Sequence, residues 1–154
     1  MQFWLMKSEP NVFSIDDLAQ CSNQTEPWEG VRNYQARNFM REMECGDLAF
    51  FYHSNCKEAG IVGVVKIVKS AYIDDSALDE NSPYFDEKST VEKPRWCCVD
   101  VQLVEKFEHT ITLHELKTKT ELADFQLVQR GNRLSILPVT ETQWQFVLST
   151  RVTT

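Results

Sequence analysis

Apolar residues gather in short runs along this chain, and the spacing within each run predicts its element. Gln2-Phe3-Trp4-Leu5-Met6-Lys7 is a strand-length run stopped by Ser8-Glu9-Pro10. Ser14 is placed to cap a short helix whose first turn carries Asp16 and Asp17, charges that complement the helix dipole. After a loop through Pro27-Trp28-Glu29-Gly30, Asn33 is placed to cap a second helix. Its Ala36, Phe39, Met40 and Met43 recur at helical spacing, and Gly46 is positioned to end it. Leu48-Ala49-Phe50-Phe51-Tyr52 is too short and too aromatic for a helix and predicts a buried strand. Residues 60–68 are β-branched and predict another strand, in which Gly60 and Gly63 mark a bend or bulge. The polar turn 53–59 makes that pair a hairpin.

Residues 72–92 carry seven Asp or Glu against Lys88 alone and read as a solvated loop with helical turns. From Trp96 the pattern alternates: Cys97, Val99, Val101, Leu103 and Phe107 take one face, and Cys98, Asp100, Gln102 and Lys106 the other. That is a half-buried antiparallel strand. Thr112-Leu113-His114-Glu115 and Thr140-Glu141-Thr142-Gln143 have the spacing of capping boxes, with a last strand at 134–137 between the two helices they open. Strands dominate and mostly pair with sequence neighbours. The class is α+β, a curled, mainly antiparallel sheet approaching a small open barrel with flanking helices.

Composition narrows the class of function. A chain of 154 residues, 42% hydrophobic and 25% charged, has the proportions of one globular domain over residues 1–154. No apolar run approaches the ~18 residues of a membrane span, and no secretory leader is visible, so no membrane partner is expected and the expected place is the cytoplasm, or the nucleus in a eukaryote. Five cysteines without an oxidising address read as reduced thiols. A net charge of −7 and a pI near 5.0 argue against gripping nucleic acid by bulk electrostatics; such binding needs a local basic patch.

Catalytic and metal motifs are weak. Cys56 and His53 lie three apart in a polar turn, the raw material of a nucleophile and base, but nothing around them resembles a protease or disulfide-exchange loop. Cys97-Cys98 is vicinal, and alternation aims the thiols at opposite faces. There is no CxxC or HxxxH spacing and no glycine-rich phosphate loop, so neither metal nor cofactor is expected.

The charge map says more. Residues 30–41 contain Arg32, Arg37 and Arg41 and no acid, and residues 125–140 contain Arg130 and Arg133 and no acid. Both segments mix Asn, Gln or Ser among the arginines, the donors and acceptors that read phosphates and base edges. Helical spacing puts Asn33, Arg37 and Arg41 on one side; a salt-bridged surface with Glu42 and Glu44 is the plainer reading of the same pattern. Trp28, in its loop, has the weakest claim to the core among the four tryptophans and suits stacking on an unpaired base, as does Tyr34 beside Asn33.

Longer segments carry a resemblance. Phe3-Trp4-Leu5-Met6-Lys7-Ser8-Glu9-Pro10, Trp28-Glu29-Gly30-Val31-Arg32-Asn33-Tyr34-Gln35-Ala36-Arg37-Asn38-Phe39, Phe50-Phe51-Tyr52-His53-Ser54-Asn55, Pro94-Arg95-Trp96 and Arg133-Leu134-Ser135-Ile136 are similar, in order, to the EVE domain family. The resemblance spans about residues 2–149 and implies a PUA-like fold related to the YTH domain. It also implies a non-catalytic reader of a modified base in DNA or RNA that takes a flipped base into a pocket. Arg32 stands where the YTH cage carries a tryptophan, which implies an arginine–amide pocket for a modified cytosine. On this reading Lys7 and Ser8 form one wall and Arg32 and Asn33 another. Arg37, Arg130 and Arg133 hold phosphates; Asn33, Ser8 and Ser135 bond the base edge; Trp28 and Tyr34 stack; His53, Ser54 and Asn55 shape the rim. The expected state is a monomer whose partner is nucleic acid. Two rival classes are an enzyme using Cys56 and His53 in the same pocket, and a protein adaptor using the acidic 72–92 loop.

Overall fold

The computed structural model describes residues 1–151. Six strands, β1 (Phe3–Ser8), β2 (Thr25–Pro27), β3 (Leu48–His53), β4 (Gly60–Ile73), β5 (Cys97–Thr112) and β6 (Ile136–Val139), form one sheet in the order β2-β5-β4-β3-β1-β6. Four helices accompany it: α1 (Ile15–Gln20), α2 (Tyr34–Glu42), α3 (Leu113–Lys117) and α4 (Glu141–Thr150). Hydrogen bonding leaves β2 and β6 as edges, so the expected barrel is not closed. All pairings are antiparallel except β1 with β3, which run parallel in register from Phe3↔Leu48 to Ser8↔His53.

Period-2 alternation divides the sheet between two cores. Trp4, Met6, Ala49 and Phe51 face one core with α1 and α2; Leu5, Phe50 and Tyr52 face the other with α3 and α4. On the second face Trp144 stacks on Phe50, with ring centroids 3.9 Å apart. On the first, the buried Asp47 ties the start of β1 to the end of α2: its carboxylate accepts from Trp4 Nε1 and Gln2 N (both 3.1 Å) and from Glu44 N (3.0 Å).

Local chemistry explains most element ends. Ser14 and Asp17 form a reciprocal capping box at α1, as Thr140 and Gln143 do at α4, while Asn33 Oδ1 accepts from Ala36 N (2.9 Å) to start α2. Four expectations shift. α2 ends at Glu42, and Gly46, at φ +97°, instead makes the turn into β3, its N–H donating to the Ile67 carbonyl. The last strand begins at Ile136 rather than 134, because Leu134 N–H turns back to Asn132 Oδ1. β4 runs on to Ile73. Phe107 packs in the second core, not with Val99 and Val101, because the β4–β5 register slips between Val64↔Glu105 and Val65↔Leu103, and an inserted residue reverses which face follows. The bulge expected near the glycines is present: register shifts between Ile61 and Gly63. Cys97 and Cys98, expected on opposite faces, are both buried in the first core, their thiols donating to the Arg37 and Ile73 carbonyls.

Candidate functional site

One cleft gathers residues from both edges of the sheet. Lys7, Ser8 and Glu9 come from the end of β1, Val12 and Phe13 from the loop after it, Glu26 through Arg32 from β2 and the approach to α2, Tyr84 from the acidic segment, and Ser135 from just before β6. The cavity is about 360 Å³. Because neighbours of β2 and β6 meet across it, the sheet is curled even though it is not closed.

A left-handed glycine sets the geometry. Gly30 has φ +84°, and a Cβ there would lie 2.7 Å from the Tyr84 ring. Gly30 N donates to Asp74 Oδ2 (2.9 Å), and Asp74, 1% exposed, also accepts from Ser76 N and pairs with Arg32 Nη1 at 3.1 Å. Arg32 Nη2 and Nε then donate to the Tyr84 carbonyl at 2.6 and 3.1 Å. The guanidinium is thereby fixed as a wall, its N–H groups committed to Asp74 and to the Tyr84 and Val31 carbonyls. The 72–92 segment is therefore more than a solvated face: Asp74, Ser89 and Ala77 are buried, and Asp86 accepts from Trp96 Nε1 (2.7 Å).

Of the residues expected at the site, Lys7, Ser8, Trp28, Arg32 and Ser135 line the cleft together. Trp28 is 7% exposed and meets Phe51 edge-on at 5.2 Å, so it belongs to the core as well as to the cleft lining; its expected place as a free loop aromatic is corrected. Ser8 Oγ donates to the Phe13 carbonyl (2.6 Å), holding the loop that supplies Phe13. Asn33 lies outside the lining, with Oδ1 committed to the helix cap. Tyr34, 50% exposed, stacks on Trp96 (centroids 4.8 Å), with the Arg37 guanidinium 4.7 Å from its ring. Those residues form a separate cationic–aromatic surface, where Arg37 Nη1 also donates to the Arg95 carbonyl (3.0 Å).

His53, Ser54 and Asn55 sit behind the β1 end rather than on the lining. His53 Nε2 accepts from Ile15 N (3.1 Å), Ser54 N donates to the Ser8 carbonyl, and Asn55 Nδ2 donates to Glu9 Oε1 (2.8 Å). Burial pulls the His53 imidazole below its ordinary value, with Asp16 and Asp17 opposing. Arg133 is exposed, and Arg130 lines a different cavity. Among the described residues no cluster of His, Cys, Asp or Glu is arranged to hold a metal ion, and no helix is long and apolar enough to cross a membrane.

Composition hid several lining residues. Glu29 accepts no hydrogen bond among the described residues, and burial, with Asp74 and Glu26 nearby, raises its pKa. Phe13 and Tyr84 carry no motif of their own; the signal for Tyr84 was Gly30, whose bare Cα admits the ring.

With the geometry in view, the sequence model of the EVE domain matches residues 2–150. The chain belongs to the EVE domain family. Thymocyte nuclear protein 1 of Gallus gallus is 50% identical to this EVE domain, over 95% of this chain and 67% of that protein. The crystal structure of a Pseudomonas syringae protein superposes with a TM-score of 0.94 at 51% identity, covering 97% of this chain and 99% of that one. Human THYN1, solved in complex with DNA containing 5-methylcytosine, superposes at 0.90 with 48% identity, over 97% of this EVE domain and 96% of that chain.

Proposed function

We propose that this chain, as a single PUA-like EVE domain and a monomer, reads a modified cytosine in DNA by holding the extruded base in the cleft without transforming it. The observation that carries the reading is the cleft. At about 360 Å³ it falls in the range of small-molecule sites, roughly 300–1,000 Å³. Its walls are Phe13, Trp28, Tyr84 and the anchored Arg32, and two of its charged groups, the Glu29 carboxylate and the Lys7 ammonium, have no hydrogen-bond partner among the described residues. A cytosine offers an amino donor for a carboxylate and ring acceptors for an ammonium, and its 5-methyl group suits an apolar wall. The human relative's complex with 5-methylcytosine DNA supports that base class over others. On this reading Arg37 and Arg133, outside the cleft, hold phosphates. Binding without turnover is supported by His53, whose Nε2 accepts a backbone amide and which does not line the cleft with Cys56. The expected location is the cytoplasm of a bacterium or the nucleus of a eukaryote.

The test is fluorescence anisotropy with one oligonucleotide sequence carrying cytosine, 5-methylcytosine or N6-methyladenine, as DNA and as RNA. The DNA with 5-methylcytosine should bind tightest, and Glu29→Gln should remove ~1–3 kcal/mol of the preference for both cytosine bases over N6-methyladenine while leaving the 5-methyl preference in place. Equal affinity for all bases, unchanged in Glu29→Gln, would refute the reading; a preference for the RNA would move the substrate class.

A further inference from the structure

Lys7 serves two cavities. On the far side of its side chain from the base cleft lies a second hollow of about 450 Å³, bounded by Tyr52 of β3, Lys117 of α3 and the turn carrying Arg130, Gly131 and Asn132. Its lining holds three cations and no carboxylate. The base cleft, by contrast, includes Glu9, Glu26 and Glu29, and a third cavity, at the start of β1, includes Glu42 and Glu141. In a chain of net charge −7, an acid-free concentration of cations is a departure from the average surface.

None of the three is in an ion pair among the described residues; the pairs formed there are Arg32–Asp74, Lys106–Asp16 and Arg151–Glu105. Lys7 is the telling one. Its ammonium is half-buried, 5.6 Å from the centre of the Tyr52 ring, and burial draws its pKa below the ordinary value. A cation removed from water and left without a counter-charge is costly, and an arriving anion removes that cost. The opposite rim is built to admit one. Gly131, at φ +82°, leaves open space where a Cβ would stand, and Asn132 uses Oδ1 to accept from Leu134 N, which leaves its amide N–H groups as donors.

We propose that this second cavity is a phosphate site, holding the phosphodiester adjacent to the nucleotide whose base occupies the cleft. Lys117 and Arg130 make the charged contacts, and Lys7 stands as the shared post between base and phosphate. The inference rests on the base-reading proposal and extends it from a pocket to a strand path, entering over the 127–132 turn and turning inward at Lys7. It also separates Arg130, which takes part, from Arg133, which does not line the cavity.

The experiment compares the intact protein with Lys117→Ala/Arg130→Ala; both side chains are exposed, so the fold is preserved. The probes are a single-stranded DNA with one 5-methylcytosine, titrated across salt concentrations, and 5-methyl-2′-deoxycytidine alongside its 3′,5′-bisphosphate. If the site is real, the double variant loses ~0.7 from the slope of log affinity against log salt, the value for one phosphate neutralised on a single strand. Nucleoside affinity stays unchanged, and the bisphosphate loses its advantage over the nucleoside. An unchanged slope with an unchanged bisphosphate advantage overturns the phosphate site and leaves the base reading standing. A wild-type protein that fails to separate 5-methylcytosine from cytosine, yet loses slope in the double variant, overturns the base reading and keeps the phosphate site.

Discussion

Replacing Gly30 with alanine probes how the cleft is held open. The position has φ +84°, where a side chain costs ~1–2 kcal/mol in an L-residue, and the new Cβ would stand 2.7 Å from Cε1 and Cζ of Tyr84. The Tyr84 backbone cannot retreat freely, because its carbonyl receives two hydrogen bonds from Arg32, so relief must come from the ring's own torsions. The overlap therefore behaves as overpacking, adding ~1–3 kcal/mol. In a chain of this length each kcal/mol reads as about 2–4 °C of melting temperature. The decisive comparison is a double-mutant cycle: Gly30→Ala in the native background and in Tyr84→Ala, by thermal denaturation. Without the ring only the backbone share should remain, so the penalty should fall by the ~1–3 kcal/mol assigned to the overlap. Gly30→Ala should also weaken nucleoside binding more than Tyr84→Ala does, since it moves the wall rather than trimming it. An equal penalty in both backgrounds would refute the close approach as the reason for glycine.

Two further outcomes follow from buried titratable groups. His53 is held below its ordinary value of 6.5 by burial while Nε2 accepts from Ile15 N, so the unfolded chain binds the proton more readily; stability should be full above pH 6.5 and be lost as pH falls through the folded value, and His53→Gln should flatten that acid limb in urea titrations. Among the thiols, exposed Cys45 should react first with a thiol reagent at pH 8, whereas Cys98, pushed up to about 12 by burial, and Cys97 should react only on denaturation, when all five titrate; a native count of five fast thiols would contradict the packing.

Element identity was readable in the chain wherever a local rule decided it. Ser14, Asn33, Thr112 and Thr140 cap helices through bonds to the residue three positions on, a relation visible in the sequence itself. What lay beyond local rules was missed. The parallel pairing of β1 with β3 joins residues 45 positions apart, and no alternation of apolar residues encodes its direction. The face of Phe107 was misread because a bulge upstream changes the count. Trp28 looked free because its neighbours Pro27 and Glu29 are polar or turn-forming, yet Phe51, from another strand, supplies the surface that buries it. The site was legible as a stretch, 28–33, but not as a cleft, since Tyr84 and Ser135 arrive from segments whose local composition signals acid loop and strand end.

The place of β1 in the sheet has a consequence for biosynthesis. Although β1 precedes the other five strands in the sequence, its hydrogen-bonding edges are satisfied only by β3 on one side and β6 on the other, so residues 3–6 wait for residues 136–139. While this domain is being made it therefore carries an open, apolar strand edge until β6 follows, and its fold cannot be completed vectorially from β1 onward. Such non-local closure slows the final step relative to a helical protein of equal length. A product that stops short of β6 would present Trp4, Leu5 and Met6 beside an unpaired backbone, which makes it a substrate for chaperones rather than a smaller working domain.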